Sequence, residues 1–200
     1  MTTRQSLSIP LLVLALLPAT GCGPTADESN EEAAVPTAPA SVSRTANASG
    51  QRVGPFELEV DGVTFQVPDG WREVQLSDEQ VGFISARLTI PVNDQELTLT
   101  FSTVGGGIES NIQRWQGQFQ GAVPTIRQIR ISGHDARWVD IRGQFQSQVG
   151  SAGQQSEWRM LGLALSKQPR DFYAKLTGPR ERVSQIVDMF RQMVETAVVK

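Results

Sequence analysis

Two runs of alternating apolar and polar residues meet at Asp61-Gly62, and no other feature constrains the fold of this chain so narrowly. Phe56, Leu58 and Val60 precede the pair, and Val63, Phe65 and Val67 follow it. Such alternation places every second side chain on one face of an extended strand. A two-residue Asp-Gly joint closes two strands into an antiparallel hairpin, because both residues accept the left-handed backbone of the tight turn. Pro68-Asp69-Gly70 then ends the second strand, and Trp71 follows.

The same reasoning predicts a second strand pair over 82–90 and 96–104, joined across 91–95, with Leu97, Leu99 and Phe101 sharing one face. Gly105-Gly106-Gly107 breaks the sheet pattern. Ile108, Ile112, Trp115 and Phe119 then recur at steps of four, three and four, one stripe of a helix. Gly117 weakens that helix, and Gly121 is its expected end. Strands return at 125–132 and 136–145, turning at Gly133-His134. A polar loop over 146–156 leads to strands at 158–165 and 172–176. Gly178-Pro179 opens a closing helix whose apolar stripe is Val183, Ile186, Val187, Phe190, Met193 and Val194. Hairpin connections dominate, so the expected class is α+β: an antiparallel β-sheet covered by two main helices.

That domain occupies 55–200, with all four Trp and all eight Phe of the chain. The first 54 residues differ in kind. Arg4 precedes a short apolar run, 7–19, interrupted by Pro10 and followed by the small residues Ala19, Thr20 and Gly21. A positive start, a short apolar core and small residues before a cut are the parts of an export signal. Thirteen residues fall short of the roughly 20 that a transmembrane helix needs. From 23 to 54 the chain is rich in Ala, Ser, Thr, Pro and Gly, carries Asp27, Glu28, Glu31 and Glu32, and has no aromatic residue. Such a composition cannot bury enough apolar surface to offset the entropy of ordering, which predicts a disordered tether. With about 32 residues, its root-mean-square reach is roughly 30 Å.

Ala19-Thr20-Gly21-Cys22 resembles the lipobox of bacterial lipoproteins, and Cys22 is the sole cysteine. The resemblance implies a signal peptide over 1–21, a diacylglycerol on the Cys22 thiol, cleavage before it, and acylation of the new amino group. Residues 22–54 then tether the domain to a bacterial membrane. Each buried methylene contributes about 0.8 kcal/mol, so several acyl chains make release slow. Gly23, where an Asp retains such proteins at the inner membrane, points to the periplasmic face of an outer membrane if the cell has one.

The order of elements, with Val67-Pro68-Asp69-Gly70-Trp71 after the opening strands and an amphipathic last helix, resembles the PsbP-like fold. That resemblance implies an antiparallel sheet sandwiched by helices, an α/β/α sandwich. Asn111-Ile112-Gln113-Arg114-Trp115, Asp140-Ile141-Arg142-Gly143 and Leu176-Thr177-Gly178-Pro179 resemble stretches of uncharacterised envelope lipoproteins of planctomycete-type bacteria. These likenesses are of turns and packing positions, and they imply no catalytic residue.

The chemistry open to the chain is narrow. A formal charge of −3 without a basic cluster gives no reason to expect nucleic acid. One Cys and one His exclude an internal disulfide and a Cys/His zinc cluster. Gly105-Gly106-Gly107 has no following Lys, and Glu109 would repel a phosphate. Ser132-Gly133-His134-Asp135 suits a hairpin turn better than an acid–base pair. Asp135 and Asp140 lie on opposite strand faces, available to Arg137 and Arg142. Asn93, Asp94 and Glu96 lack the spacing of a calcium loop and read as a turn. No enzyme, cofactor or metal is expected. Trp115 belongs to the buried stripe, whereas Asn111 and Arg114 lie on a shared side of the helix. Two readings stay open for them: packing and bonding to a neighbouring loop, or a partner-binding edge formed by Asn111, Arg114 and Trp115, since Trp and Arg are enriched at interfaces. The function expected is a non-catalytic binding or accessory module for another envelope protein. The alternative is a carrier of a small apolar ligand held between sheet and helix.

Overall fold

The computed structural model describes residues 51–146 and 155–200. The expected signal peptide, Cys22, the expected tether up to residue 50 and most of the 146–156 loop lie outside the described residues. The elements are β1 (Phe56–Val60), β2 (Val63–Val67), β3 (Arg72–Glu73), β4 (Ala86–Val92), β5 (Gln95–Val104), α1 (Ile108–Gln116), β6 (Phe119–Gln120), β7 (Thr125–Ile131), β8 (His134–Phe145), β9 (Gln155–Leu165), β10 (Asp171–Pro179), α2 (Arg180–Gln185), α3 (Val187–Glu195) and β11 (Val198–Val199).

Every strand pairing is antiparallel. β3, β4, β5, β10, β9, β8 and β6 form one sheet in that order, with β7 also paired to β8, and β1, β2 and β11 form a second. The opening hairpin forms as its alternation dictates, with Val60 opposite Val63 and both Asp61 (φ 50°) and Gly62 (φ 76°) left-handed. Its apolar face meets the large sheet: Phe65 packs on Phe101 (5.1 Å between centroids) and on Phe172 (5.7 Å). The same core takes in Val183, Ile186, Phe190, Met193 and Val194. One face of the large sheet is thus covered jointly by the small sheet and the C-terminal helices. A separate cluster of Ile108, Ile112, Trp115, Phe119, Val139, Ile141, Met160, Ala164 and Tyr173 puts α1 on the opposite face.

The α+β class and the antiparallel sheet agree with the sequence, but the covering layers differ from two helices on a sheet. The closing helix is two helices, α2 and α3, broken at Ile186 (φ −114°, ψ 8°). Gly178 and Pro179 extend β10 opposite Arg159 and Trp158. The first helix stops at Gln116, where the Gly117 N–H bonds to Gln113 O, and Phe119 is buried instead from β6, opposite Phe145. The second hairpin turns tightly at Asn93-Asp94, because Pro91 pairs with Glu96 inside the strand. Proline is tolerated there because β3 reaches only as far as Thr89 and Leu88, leaving Pro91 on an edge. Residues 82–84 are not strand: the Phe83 and Ile84 N–H groups turn back to Gln80 O.

Candidate functional site

The strand-to-helix passage is built around Asn111. Gly106 and Gly107 have φ of 94° and 79°, conformations in which a side chain would be strained. Asn111 lies one turn into α1, is buried, and donates from Nδ2 to Gly105 O (3.2 Å), Gly107 O (2.8 Å) and Tyr173 Oη (2.9 Å). It fastens the glycine loop to the helix and the helix to β10. Burial pushes the Tyr173 hydroxyl up to about 12, and the nearby Asp171 charge adds to this. The Asn111 hydrogen bond and the Arg114 charge pull the other way.

Of the three residues considered as a recognition edge, one is at the surface. Trp115 is buried edge-on to Tyr173 (5.7 Å, 84°) with its ring against Gly162. Asn111 is buried too, and its Oδ1 accepts from Arg114 Nη1 at 2.6 Å. Arg114 is exposed, and its guanidinium is positioned by the buried amide one turn earlier. The helix therefore presents Arg114 and withholds Asn111 and Trp115.

The register places a further group of polar side chains where α1 gives no cover. On the α1 face, β8 and β9 carry the apolar residues Val139, Ile141, Met160 and Ala164. On the same face, β4, β5 and β10 carry Arg87, Thr89, Thr98, Thr100, Ser102, Lys175 and Thr177. Arg87, Thr100 and Lys175 lie directly opposite one another in one row across three strands, and Thr89, Thr98 and Thr177 in the next. Lys175 Nζ donates to Gln118 Oε1 at 2.5 Å, a neutral partner, and burial lowers its pKa to about 8. Among the described residues, three buried side-chain polar atoms lack a hydrogen-bond partner. Two of them, Arg87 Nε and Thr177 Oγ1, belong to this face. The sequence signal was present but slight: Lys175 and Thr177 interrupt the apolar run of β10 at every second position. Only the pairing of β10 with β5 brings them beside Arg87.

Asp140, Asp94 and Glu96 are paired with arginines within the fold. Arg159, buried in β9, grips both Asp140 oxygens (2.9 and 2.7 Å) and donates to Ser184 Oγ (2.9 Å), tying the sheet to α2. Arg142 adds a further bond to Asp140 at 2.8 Å, whereas Arg137 reaches Ala136 O instead. Burial raises the Asp140 carboxyl, but hydrogen bonds and charge from Arg159 and Arg142 outweigh it and hold it below its ordinary value. His134 and Asp135 are exposed at the start of β8, next to the left-handed pair Ser132-Gly133. Asp94 bonds Arg182 at 2.6 Å and Glu96 pairs with Arg72, so this turn is held by arginines. Among the described residues no group of three or more His, Cys, Asp or Glu is placed to hold a metal ion, and no helix is long and apolar enough to cross a membrane.

No family model matches the chain, and no curated protein matches it by sequence. Solved structures do. The chain is similar to the solution structure of cyanobacterial PsbP (CyanoP) from Synechocystis sp. PCC 6803, with 15% identity, a TM-score of 0.48, and 70% of this chain and 88% of that one covered. It is similar to PA94 from Pseudomonas aeruginosa, described as a putative regulator of unknown function (15%, TM-score 0.45, 72% and 96% covered). It is also similar to LpqN, involved in cell envelope biogenesis of Mycobacterium tuberculosis (12%, TM-score 0.47, 69% and 83% covered). A PsbP structure stands among these neighbours. No residue role is carried over from any of the three.

Proposed function

We propose that this chain is an exported protein held to a bacterial membrane by lipid on Cys22, whose domain is a non-catalytic accessory module that binds another envelope protein. The observation that carries the binding reading is Arg114: an exposed guanidinium on a rigid helix, oriented by the buried Asn111 amide at 2.6 Å. Recognition groups positioned in advance lose little entropy on association, and arginine is enriched among the residues that dominate interfaces. The non-catalytic reading draws support from the polar groups themselves. Asp140, Asp94 and Glu96 are paired with arginines, and the His134 side chain lies exposed on a turn.

The tether reading rests on Ala19-Thr20-Gly21-Cys22 at the end of a short apolar run. Gly23 in place of Asp directs the protein to the outer membrane in cells that sort lipoproteins this way. The alternative, a small apolar ligand carried between sheet and helix, has no observation in its favour: Trp115 packs on Tyr173 beneath α1, and Phe190 packs on Trp138 beneath α3.

The test is crosslinking in the cell followed by capture of the full-length protein, in parallel with an Arg114→Glu variant. One dominant protein recovered with the native chain and lost with the variant supports the reading. Equal recovery with both removes Arg114 from the interface, and a native chain recovered alone overturns the binding module. Cys22→Ala tests the anchor separately: its intact mass should lack acyl groups and retain residues 1–21.

A further inference from the structure

We infer that the uncovered half of the α1 face binds a phosphate-type oxyanion between the Arg87 guanidinium and the Lys175 ammonium, with the hydroxyls of Thr98 and Thr177 as further donors. This site is separate from the Arg114 surface and does not depend on the protein-binding reading.

The register brings the groups together. Arg87 and Lys175 both neighbour Thr100, in the same row of the sheet. Strands spaced about 4.8 Å apart put their Cβ atoms about 10 Å from each other. Two long cationic side chains over that gap can both reach a small anion above Thr100. Thr98 and Thr177 are directly opposite in the next row and supply hydroxyls to its other side.

Among the described residues no carboxylate pairs with the cations of this face. The rows of Ser102–Tyr173, Arg87–Thr100–Lys175 and Thr89–Thr98–Thr177 contain no carboxylate. Glu96, beyond them at one end, is taken by Arg72. Asp171, at the other end of β10, accepts from the Lys167 N–H and acts on Tyr173. From the helix side Gln118 offers Lys175 a neutral amide oxygen. Elsewhere in the same fold a buried arginine is fully engaged: Arg159 has both oxygens of Asp140 and the Ser184 hydroxyl.

Among the described residues Arg87 has no such partner. Its Nε is buried without a hydrogen bond, and the Thr177 hydroxyl two strands away is in the same state. Buried donors left unmade are costly, so two on one face together call for an acceptor from outside. A guanidinium with an ammonium and hydroxyls, and no acid, matches the oxygens of a phosphoryl group. The low proton affinity of Lys175, near 8, is that of a desolvated cation without a counter-charge.

The oxyanion could be free phosphate or the phosphomonoester of a lipid headgroup, and one experiment separates them. The full-length protein in neutral detergent is titrated with inorganic phosphate at constant ionic strength, followed by 31P line broadening and by the 15Nε resonance of Arg87. It is also incubated with phosphatidylcholine vesicles with or without phosphatidic acid. Saturable phosphate binding that shifts Arg87 Nε assigns free phosphate. Binding to phosphatidate vesicles alone, abolished by substitution on this face, assigns a headgroup. Arg87→Met and Lys175→Met should each weaken binding at least tenfold, whereas Arg142→Met, on the opposite face, should leave it unchanged. Arg87→Met removes no protein hydrogen bond from its side chain, so it serves even if Lys175→Met misfolds. No saturable binding to either probe, or equal loss with Arg142→Met, overturns the site.

Discussion

The indole of Trp115 lies against the backbone of Gly162: a Cβ added there would sit 2.6 Å from Cζ3 and 3.1 Å from Cη2 of the ring. This contact sets how closely α1 approaches β9. The ring is also wedged against Tyr173, so it has no free direction in which to retreat. Gly162→Ala should therefore destabilise the domain by about 1–3 kcal/mol, the range of overpacked cores. Urea denaturation followed by Trp fluorescence checks this. Trp115→Leu in the same chain should recover part of the loss, because the clash is with the ring. Equal effects of Gly162→Ala with and without the Trp would refute the contact.

Asn111 carries a heavier polar duty than its place in the helix stripe suggests. Asn111→Leu keeps the branched shape of the side chain but removes the donors to Gly105 O, Gly107 O and Tyr173 Oη. Unfolding free energy should fall by about 2–3 kcal/mol, the cost of leaving buried groups unpaired. Tyr173 is the only tyrosine in the chain, so the phenolate absorbance near 295 nm reads it alone. In the native protein its midpoint should be about 12 rather than 10.0. Because the Asn111 bond favours the ionised form, Asn111→Leu should move that midpoint up, not down.

Acid stability should depend on Asp140. Its folded pKa lies below the ordinary 3.8, since the two arginines outweigh the effect of burial. A lowered carboxyl stabilises fully above the unfolded value and ceases to do so as pH falls through the folded one. Asp140→Asn should cost about 3 kcal/mol at pH 7, because it leaves Arg159 buried without its counter-charge. The gap to the native protein should shrink as pH drops below 3.8. A gap that stays constant from pH 7 to pH 2 would refute this account.

Alkaline stability should pass through a maximum near pH 10. Lys175 loses its proton near 8 in the fold but at 10.5 when exposed, so the unfolded chain binds more protons between those values and stability rises. Tyr173 acts oppositely above 10.0, where the unfolded phenol ionises first. Lys175→Met should remove the rise, about 2 kcal/mol, and keep the fall. Denaturation midpoints from pH 7.5 to 11.5 give both limbs.

The opening hairpin was legible because its information is local: alternation and Asp61-Gly62 suffice to pair Val60 with Val63. The same holds for the faces of β5, where Leu97, Leu99 and Phe101 point one way, and for the buried stripe of α1 up to Trp115. Local pattern misleads where a residue's place depends on distant pairing. Phe119 keeps the helix spacing but is buried from a strand, because Phe145 offers a ladder just after Gly117 ends α1. Gly178 and Pro179 look like a helix start, yet β9 holds them in β10, where Leu97 packs so close that a Cβ at Gly178 would lie 2.4 Å from it. β11 is two valines with no pattern of their own, recruited by the free edge of β2.

The same division holds for function. The sequence by itself determined the hairpin-built α+β class, the lone Cys22 behind a short apolar run, and the scarcity of acid–base groups, since each depends on residue type and near neighbours. Only the tertiary structure decided which polar residues meet. It buried Asn111 and Trp115 while leaving Arg114 outside, joined Asp140 to Arg159 across β8 and β9, and set Arg87 beside Thr100 and Lys175. Strand order and register make these neighbours, and they arise from the packing of whole faces, which no short stretch of the chain encodes.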